Sequence, residues 1–296
     1  MKESLEIGVR TPLCGHTYMA FGYGRRYSLR SLPDGSFLRV EDYPGGRFIC
    51  EVQTPGRHSC HVRLFAGKAV LSDYTSGTLS VFSLDEDGIP REPARVLSFG
   101  NASHIHSSWI SPADGKLIVV DLGEDALYRF KDECLQEYET FHLPEGSGPR
   151  HCAFSPDGSI LYVSTERSDE VFVLDYPSMT LLQKCIVNPV RPGGGSHLEL
   201  SPDGRYLYVS SRLEEDGIGI FAVGPGGLLE KKGYRLTGAH PRHFSLSPDG
   251  SMIAVACRDS GAVEVYSIDP ASGLPCDLLE SIPMDQPVFV EWKDKI

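Results

Sequence analysis

Arg150 and His151 stand side by side, and titratable side chains recur at matching places along the chain. One set of positions reads Cys60, His106, Arg150, Ser196, Arg242 and Val288, and the next reads His61, Ser107, His151, His197, His243 and Phe289. Successive members are 44 or 46 residues apart. Apolar packing does not ask for this. Histidine is only moderately accommodated in a core, and arginine is rarely buried unless paired. Imidazoles and carboxylates move protons, and guanidinium groups hold anions through a planar fork. A further set, Asp121, Glu166, Arg212 and Arg258, follows at the same offset or one residue beyond it. Together they supply Glu166 and His106 as candidate bases, and Arg150, Arg212 and Arg242 as candidate anion holders.

The competing reading is a satisfied polar network that lines a wet channel and binds nothing, since such networks need no ligand once their hydrogen bonds are made. His104-Ile-His106 could offer two metal ligands on one strand face, but spacing indicates no third, so no metal is expected. Gly193-Gly-Gly195 lacks the Lys-Ser/Thr of a phosphate-cradling loop, and no dinucleotide fingerprint exists, so no cofactor is expected. His16, His58 and His142 read as surface or turn residues.

The elements that must position these groups follow from an internal repeat. Ser-Pro-Asp-Gly occurs at 155–158, 201–204 and 247–250, and Ser-Pro-Ala-Asp-Gly begins at Ser111. Each is a hairpin turn: Pro presets φ, Asp tolerates the next position and Gly closes the turn. Strand-like runs flank each turn, His197-Leu-Glu-Leu200 and Tyr206-Leu-Tyr-Val-Ser210 for example, and a third run follows, such as Glu170-Val-Phe-Val-Leu174. Four short strands every 44 to 46 residues is the period of a β-propeller blade. The expectation is one all-β domain over 1–296, with five complete repeats starting near Ser59, His104, Pro149, Gly195 and Pro241. A sixth is split between the termini. Its inner strand, 287–292, is expected to pair with a strand near 17–23 and so close the ring, removing an exposed edge. Residues 44–58 look too few for another blade. No helix longer than three turns is expected.

Composition narrows the partners. Hydrophobic residues make up 41% of the 296, an ordinary globular fraction. The net charge of −12 argues against a nucleic-acid binder, which needs a basic face, although a local arginine cluster still suits a small anion. No apolar run is long enough to span a membrane. Eight scattered cysteines without metal spacing and no signal-peptide run suggest free thiols in a cytoplasmic protein that needs no disulfide to fold. Nothing indicates a protein partner.

Gly148-Pro-Arg-His151, Tyr162-Val-Ser-Thr-Glu166, Ser201-Pro-Asp-Gly-Arg-Tyr-Leu-Tyr-Val-Ser-Ser-Arg212 and Pro241-Arg-His-Phe244 resemble strings of the lactonase family of seven-bladed propellers. Asp121-Leu-Gly-Glu-Asp125 and Tyr74-Thr-Ser-Gly-Thr-Leu-Ser-Val-Phe82 add to the resemblance, which covers roughly 57–293. Three departures are visible: six repeats instead of seven, Ser211 where the family usually has Asn, and His197 where a small residue is usual. The resemblance implies a sugar-lactone hydrolase of the 6-phosphogluconolactonase type. It implies His106, Arg150, Glu166 and Arg212 as active-site residues. His61, His151, His197, Arg242 and His243 would then contact a small anionic sugar lactone. Opening a lactone needs a base for water and a donor or cation for the oxyanion, which these residue types supply. A lactonizing isomerase related to the carboxymuconate cyclases, and a non-catalytic binding propeller, are the alternatives.

Overall fold

The computed structural model describes residues 4–9, 17–32, 34–188, 190 and 193–295. Cys14 and His16 lie outside them. The chain divides into two compact units, one of residues 10–143 and one of 1–9 with 144–296. Strand β1 (Leu5–Val9) belongs to the second unit.

The unit of residues 10–143 holds three antiparallel four-stranded sheets, each a meander in chain order. The first is β2 (Met19–Gly22), β3 (Arg25–Leu32), β4 (Gly35–Asp42) and β5 (Phe48–Gln53). The second is β6 (Ser59–Phe65), β7 (Lys68–Asp73), β8 (Thr78–Leu84) and β9 (Pro90–Ser98). The third is β10 (Ile105–Ile110), β11 (Leu117–Asp121), β12 (Ala126–Phe130) and β13 (Tyr138–His142). Tyr27, Leu29, Leu38 and Val40 of the first pack with Val62, Leu71 and Phe82 of the second.

The other unit repeats the pattern three times: β14 (Pro149–Phe154), β15 (Ile160–Thr165), β16 (Glu170–Asp175) and β17 (Thr180–Ile186); β18 (Gly195–Leu200), β19 (Tyr206–Ser211), β20 (Gly217–Val223) and β21 (Leu229–Leu236); β22 (Pro241–Leu246), β23 (Met252–Cys257), β24 (Ala262–Ile268) and β25 (Pro275–Pro283). Strand β26 (Pro287–Trp292) pairs with β1 as a two-stranded sheet. Second strands such as β15 are buried along their whole length, whereas outer strands such as β17 alternate exposed and half-buried residues. A strand covered on both faces accepts a continuous apolar run, and a half-covered one needs alternation.

The Ser-Pro-Asp-Gly turns are built alike. The Oγ of Ser155, Ser201 and Ser247 donates to the Asp two residues on at 2.6–2.7 Å. Each Oγ also accepts the backbone N–H that opens the next strand, at 2.9 Å. The turn glycines Gly158, Gly204 and Gly250 sit at φ 70–71°, where a side chain would be strained.

The propeller class and the six four-stranded blades agree with the sequence reading, but the allocation of strands at the N-terminus does not. Residues 19–53 form a complete blade of their own, with Phe48–Gln53, from the stretch judged too short, as its outer strand. The C-terminal strand pairs with Leu5–Val9 and not with the run near 17–23, which hydrogen-bonds to β3. The cause is hydrophobic: Leu5 joins Ala254, Ala256, Val263, Val290 and Trp292 in one buried cluster, with Ile7 packed against it. The only helical segments among the described residues are three-residue 3₁₀ turns.

Candidate active site

Every repeat that carries a polar pair begins its inner strand with an irregularity. Pro149 pairs with Thr165 and His151 with Ser164, which leaves Arg150 opposite nothing. The same skip isolates Cys60, His106 and Arg242, and near Gly195 it takes in Ser196 and His197. Adjacent strand residues ordinarily face opposite sides, and a β-bulge re-aims one of them. The bulge is therefore why two neighbouring positions can both carry chemistry.

Within the unit of 1–9 and 144–296, Arg150 and Arg212 converge on Glu166. Arg150 Nε donates to Glu166 Oε2 at 3.0 Å and Arg212 Nη2 donates to the same oxygen at 2.5 Å. The arginine side chains are buried, at 2% and 7% exposure, while Glu166 keeps 31%. Oε1 accepts no hydrogen bond from a described residue. Burial pushes the Glu166 pKa up, but the charges of Arg212, Arg150 and Arg242 outweigh it and hold the carboxyl below its ordinary value. Glu166 is thus ionised at neutral pH. Three guanidinium groups around one carboxylate leave a local excess of positive charge in a chain whose net charge is −12.

Gly194 ties these residues together through the backbone. Its N–H donates to the Glu166 carbonyl at 2.7 Å, and its carbonyl accepts the Arg212 N–H at 3.1 Å and Arg212 Nε at 3.3 Å. It adopts φ +105°, and a Cβ there would meet the Arg212 carbonyl oxygen at 1.6 Å. A Cβ on Gly195 would lie 2.1 Å from the Thr165 carbonyl. The glycine run that is no phosphate loop is a spacer that lets Glu166 and Arg212 approach.

The second polar position forms a buried column in this unit. His151 Nδ1 lies 2.9 Å from His197 Nδ1. His197 stacks on His243 at 3.9 Å, and His243 packs on Phe289 at 4.6 Å. Burial, then the charges of Arg150, Lys295 and Arg242, push His243 down to about 3, so it is neutral near pH 7. Arg242 is half-buried beside the column, its carbonyl accepting Ser196 Oγ at 2.7 Å.

His61 and His106 belong to the unit of 10–143. His61 is buried between Tyr18, 4.3 Å away, and Trp109, 5.4 Å away. His106 meets Tyr74 edge-on at 5.9 Å, and its carbonyl accepts Cys60 Sγ at 3.2 Å. The expected set Asp121, Glu166, Arg212 and Arg258 separates into two kinds. Asp121 pairs with the strand start Ile105, as Thr165, Ser211 and Cys257 pair with Pro149, Gly195 and Pro241. Glu166, Arg212 and Arg258 lie one residue further on. Asp121 is fully buried and accepts bonds from Ser103, His104, Gly123, Glu124 and Tyr128, which fixes the surrounding loops. Among the described residues, no three His, Cys, Asp or Glu side chains are grouped to hold a metal. Sequence reading misses Gly194 and the partners His240 and Asp259 described below, because nothing in their spacing marks them.

The chain is similar to several known proteins. A 6-phosphogluconolactonase of Formosa agariphila is 31% identical over 252 residues, 74% of this chain and 69% of that protein. One of Bacillus subtilis is 28% identical over 262 residues, 81% of this chain and 75% of that protein. Among solved structures, the periplasmic gluconolactonase of Pseudomonas aeruginosa superposes with a TM-score of 0.87 at 25% identity, covering 97% of this chain and 98% of the other. A Bacteroides uniformis protein proposed to be a 6-phosphogluconolactonase gives 0.87 at 33%, covering 96% and 90%. Residues 36–292 match the family model described as lactonase, 7-bladed beta-propeller, and the chain belongs to that family.

Proposed function

We propose that the protein hydrolyses a sugar lactone bearing an anionic group, of the 6-phosphogluconolactone type, at the cluster of Arg150, Glu166, Arg212 and Arg242. The observation that carries this reading is the single carboxylate bound through one oxygen by two buried arginines, with a third cation near and its other oxygen accepting no bond from a described residue. Glu166 Oε1 takes a proton from water as that water attacks the lactone carbonyl. The guanidinium groups hold the oxyanion and the substrate's fixed anion, a task for which the planar fork is suited. Collapse of the adduct breaks the ring C–O bond, and the proton held by Glu166 passes to the leaving ring oxygen. The product is a hydroxy acid.

The buried column of His151, His197 and His243 backs the arginine positions. A neutral His243 lets Arg150 and Arg242 sit close by without a further like charge. For His106 the family resemblance supports a site role, and for His61 its matching place in the repeat does; both are tested separately, and His106→Gln should lower kcat if its imidazole moves the proton. A cytoplasmic location is part of the proposal, to be checked by cell fractionation. The experiment for the whole is a substrate screen that sets 6-phosphogluconolactone and unphosphorylated gluconolactone against carboxymuconate. Hydrolysis of the lactones supports the reading, and turnover of carboxymuconate alone would replace it with the isomerase.

A further inference from the structure

Arg212 is held at more places than the anion-binding role requires. Its Nη2 meets Glu166, its Nε meets the Gly194 carbonyl, and its Nη1 lies 3.2 Å from His240 Nε2. A guanidinium can only donate, so His240 Nε2 is an acceptor and the ring proton sits on Nδ1. That nitrogen lies 3.4 Å from Asp259 Oδ2, an ion-pair distance at which the carboxylate charge favours the proton on Nδ1. Asp259 is in turn gripped by Arg258, Nε to Oδ1 at 2.6 Å and Nη2 to Oδ2 at 3.0 Å. His240 occupies the left-handed region, φ +61°, with its N–H on Asp216 Oδ2 at 2.5 Å and its carbonyl accepting the Arg258 N–H at 3.0 Å. The imidazole is buried and the loop around it is tied at both peptide groups.

We propose that His240 and Asp259 are positioning residues for Arg212: the Asp259 carboxylate fixes the Nδ1–H tautomer of His240, and His240 Nε2 then aims the Arg212 fork at the substrate anion. This rests on the lactone-hydrolase reading and adds to it a device that sets the affinity for the anionic group. A carboxylate that fixes a ring tautomer is how histidines are oriented in many catalytic and metal sites. The charged neighbours agree. Burial first, then Arg212, Arg258 and Arg242, push His240 down to about 3, with Asp259 opposing, so the acceptor nitrogen stays unprotonated across the working range.

Two measurements test it. Nitrogen-15 imidazole spectra of the intact protein should show His240 as the Nδ1–H tautomer with no titration above pH 4; an Nε2–H tautomer or a charged ring at pH 7 overturns the proposal. Kinetics on 6-phosphogluconolactone should separate His240→Gln from His240→Met. Both carry the same backbone strain and similar length, but only Gln can accept from Arg212. Met should raise KM about tenfold, the scale of one hydrogen bond to a charged group, with kcat within a factor of about two, and Gln should restore most of the loss. Equal KM values for the two variants overturn the proposal. Arg212→Met is run beside them. If it leaves KM unchanged, the reading of the site fails and the proposal with it. If it raises KM and His240→Met does not, the positioning role alone fails.

Discussion

Arg212 and Glu166 are 46 residues apart, one full repeat, and Arg212 Nη2 donates to Glu166 Oε2 at 2.5 Å. They are the same position in successive blades. A repeat that places equivalent residues side by side turns a sequence period into a contact, and here the two copies have diverged into opposite charges. Arg150, on the bulge of the blade that bears Glu166, completes the bridge.

Removing Arg150 should therefore affect both folding and turnover. Its side chain is buried against Glu166, so Arg150→Ala should cost about 3 kcal/mol, the low end for breaking a buried pair, because Arg212 still holds the carboxylate. Turnover should fall by roughly two to three orders of magnitude, the range for losing an oxyanion donor. Arg150→Lys should rescue only part of this, since an ammonium lacks the fork. Melting curves and single-substrate kinetics on the same preparations check both; normal specific activity in a folded Arg150→Ala would make the residue structural only.

Gly194→Ala is expected to be severe for its size. The added methyl would sit 1.6 Å from the Arg212 carbonyl oxygen at a φ that side chains rarely adopt. Relief requires Arg212 to move away from Glu166. The expected result is a melting temperature lower by several degrees, from about 1–3 kcal/mol of strain, together with a rise in KM for the anionic lactone. Gly67→Ala, also at positive φ but with open space around it, should lower stability without touching KM.

The pH profile of kcat/KM separates the two candidate bases. Glu166 lies below its ordinary value, so a Glu166-dependent rate should stay level from pH 8 to 5 and fall only below about 4.3. An acid limb near 6.5 would assign the proton to an imidazole instead, and His106→Gln would abolish that limb.

Stability should respond to pH through two opposed sets of groups. His240 and His243 are held at about 3 in the fold, below the unfolded value of about 6.5, so their contribution is complete above 6.5 and is lost as pH falls toward 3. Asp169 is raised to about 7 and Glu199 is raised as well, both chiefly by burial, so they oppose folding increasingly as pH rises above the ordinary carboxylate range. Asp169 accepts Ser211 Oγ through Oδ2, while its buried Oδ1 has no partner among the described residues. Asp169→Asn removes the ionisation, so its melting temperature relative to the parent should be higher at pH 8 than at pH 5. A difference independent of pH would show that Asp169 is not raised.

Much of this was legible beforehand, for identifiable reasons. The Ser-Pro-Asp-Gly turns repeat because each closes the same bond set, as at Ser155 and Asp157, so their spacing reported the blades directly. Arg150, Glu166 and Arg212 stood out because charged residues at strand starts and ends conflict with packing. The N-terminal blade was hidden because its first hairpin, between β2 and β3, turns on Tyr23 and Gly24 without the tetrapeptide. Strand β1 was hidden because its partner β26 lies at the other end of the chain. Bulges at Arg150 and Arg242, and the contact of His240 with Arg212, depend on register and on left-handed backbone at single residues, which no periodicity records.

The most direct measurement is hydrolysis of freshly generated 6-phosphogluconolactone, followed above its spontaneous rate, with the parent protein and with Glu166→Gln. Gln keeps the shape and an oxygen for the arginines but cannot accept the proton. Clear catalysis by the parent is expected, with a loss of about two orders of magnitude or more in kcat for a folded Glu166→Gln. No rate above background with the parent, or equal rates for parent and variant, would contradict it.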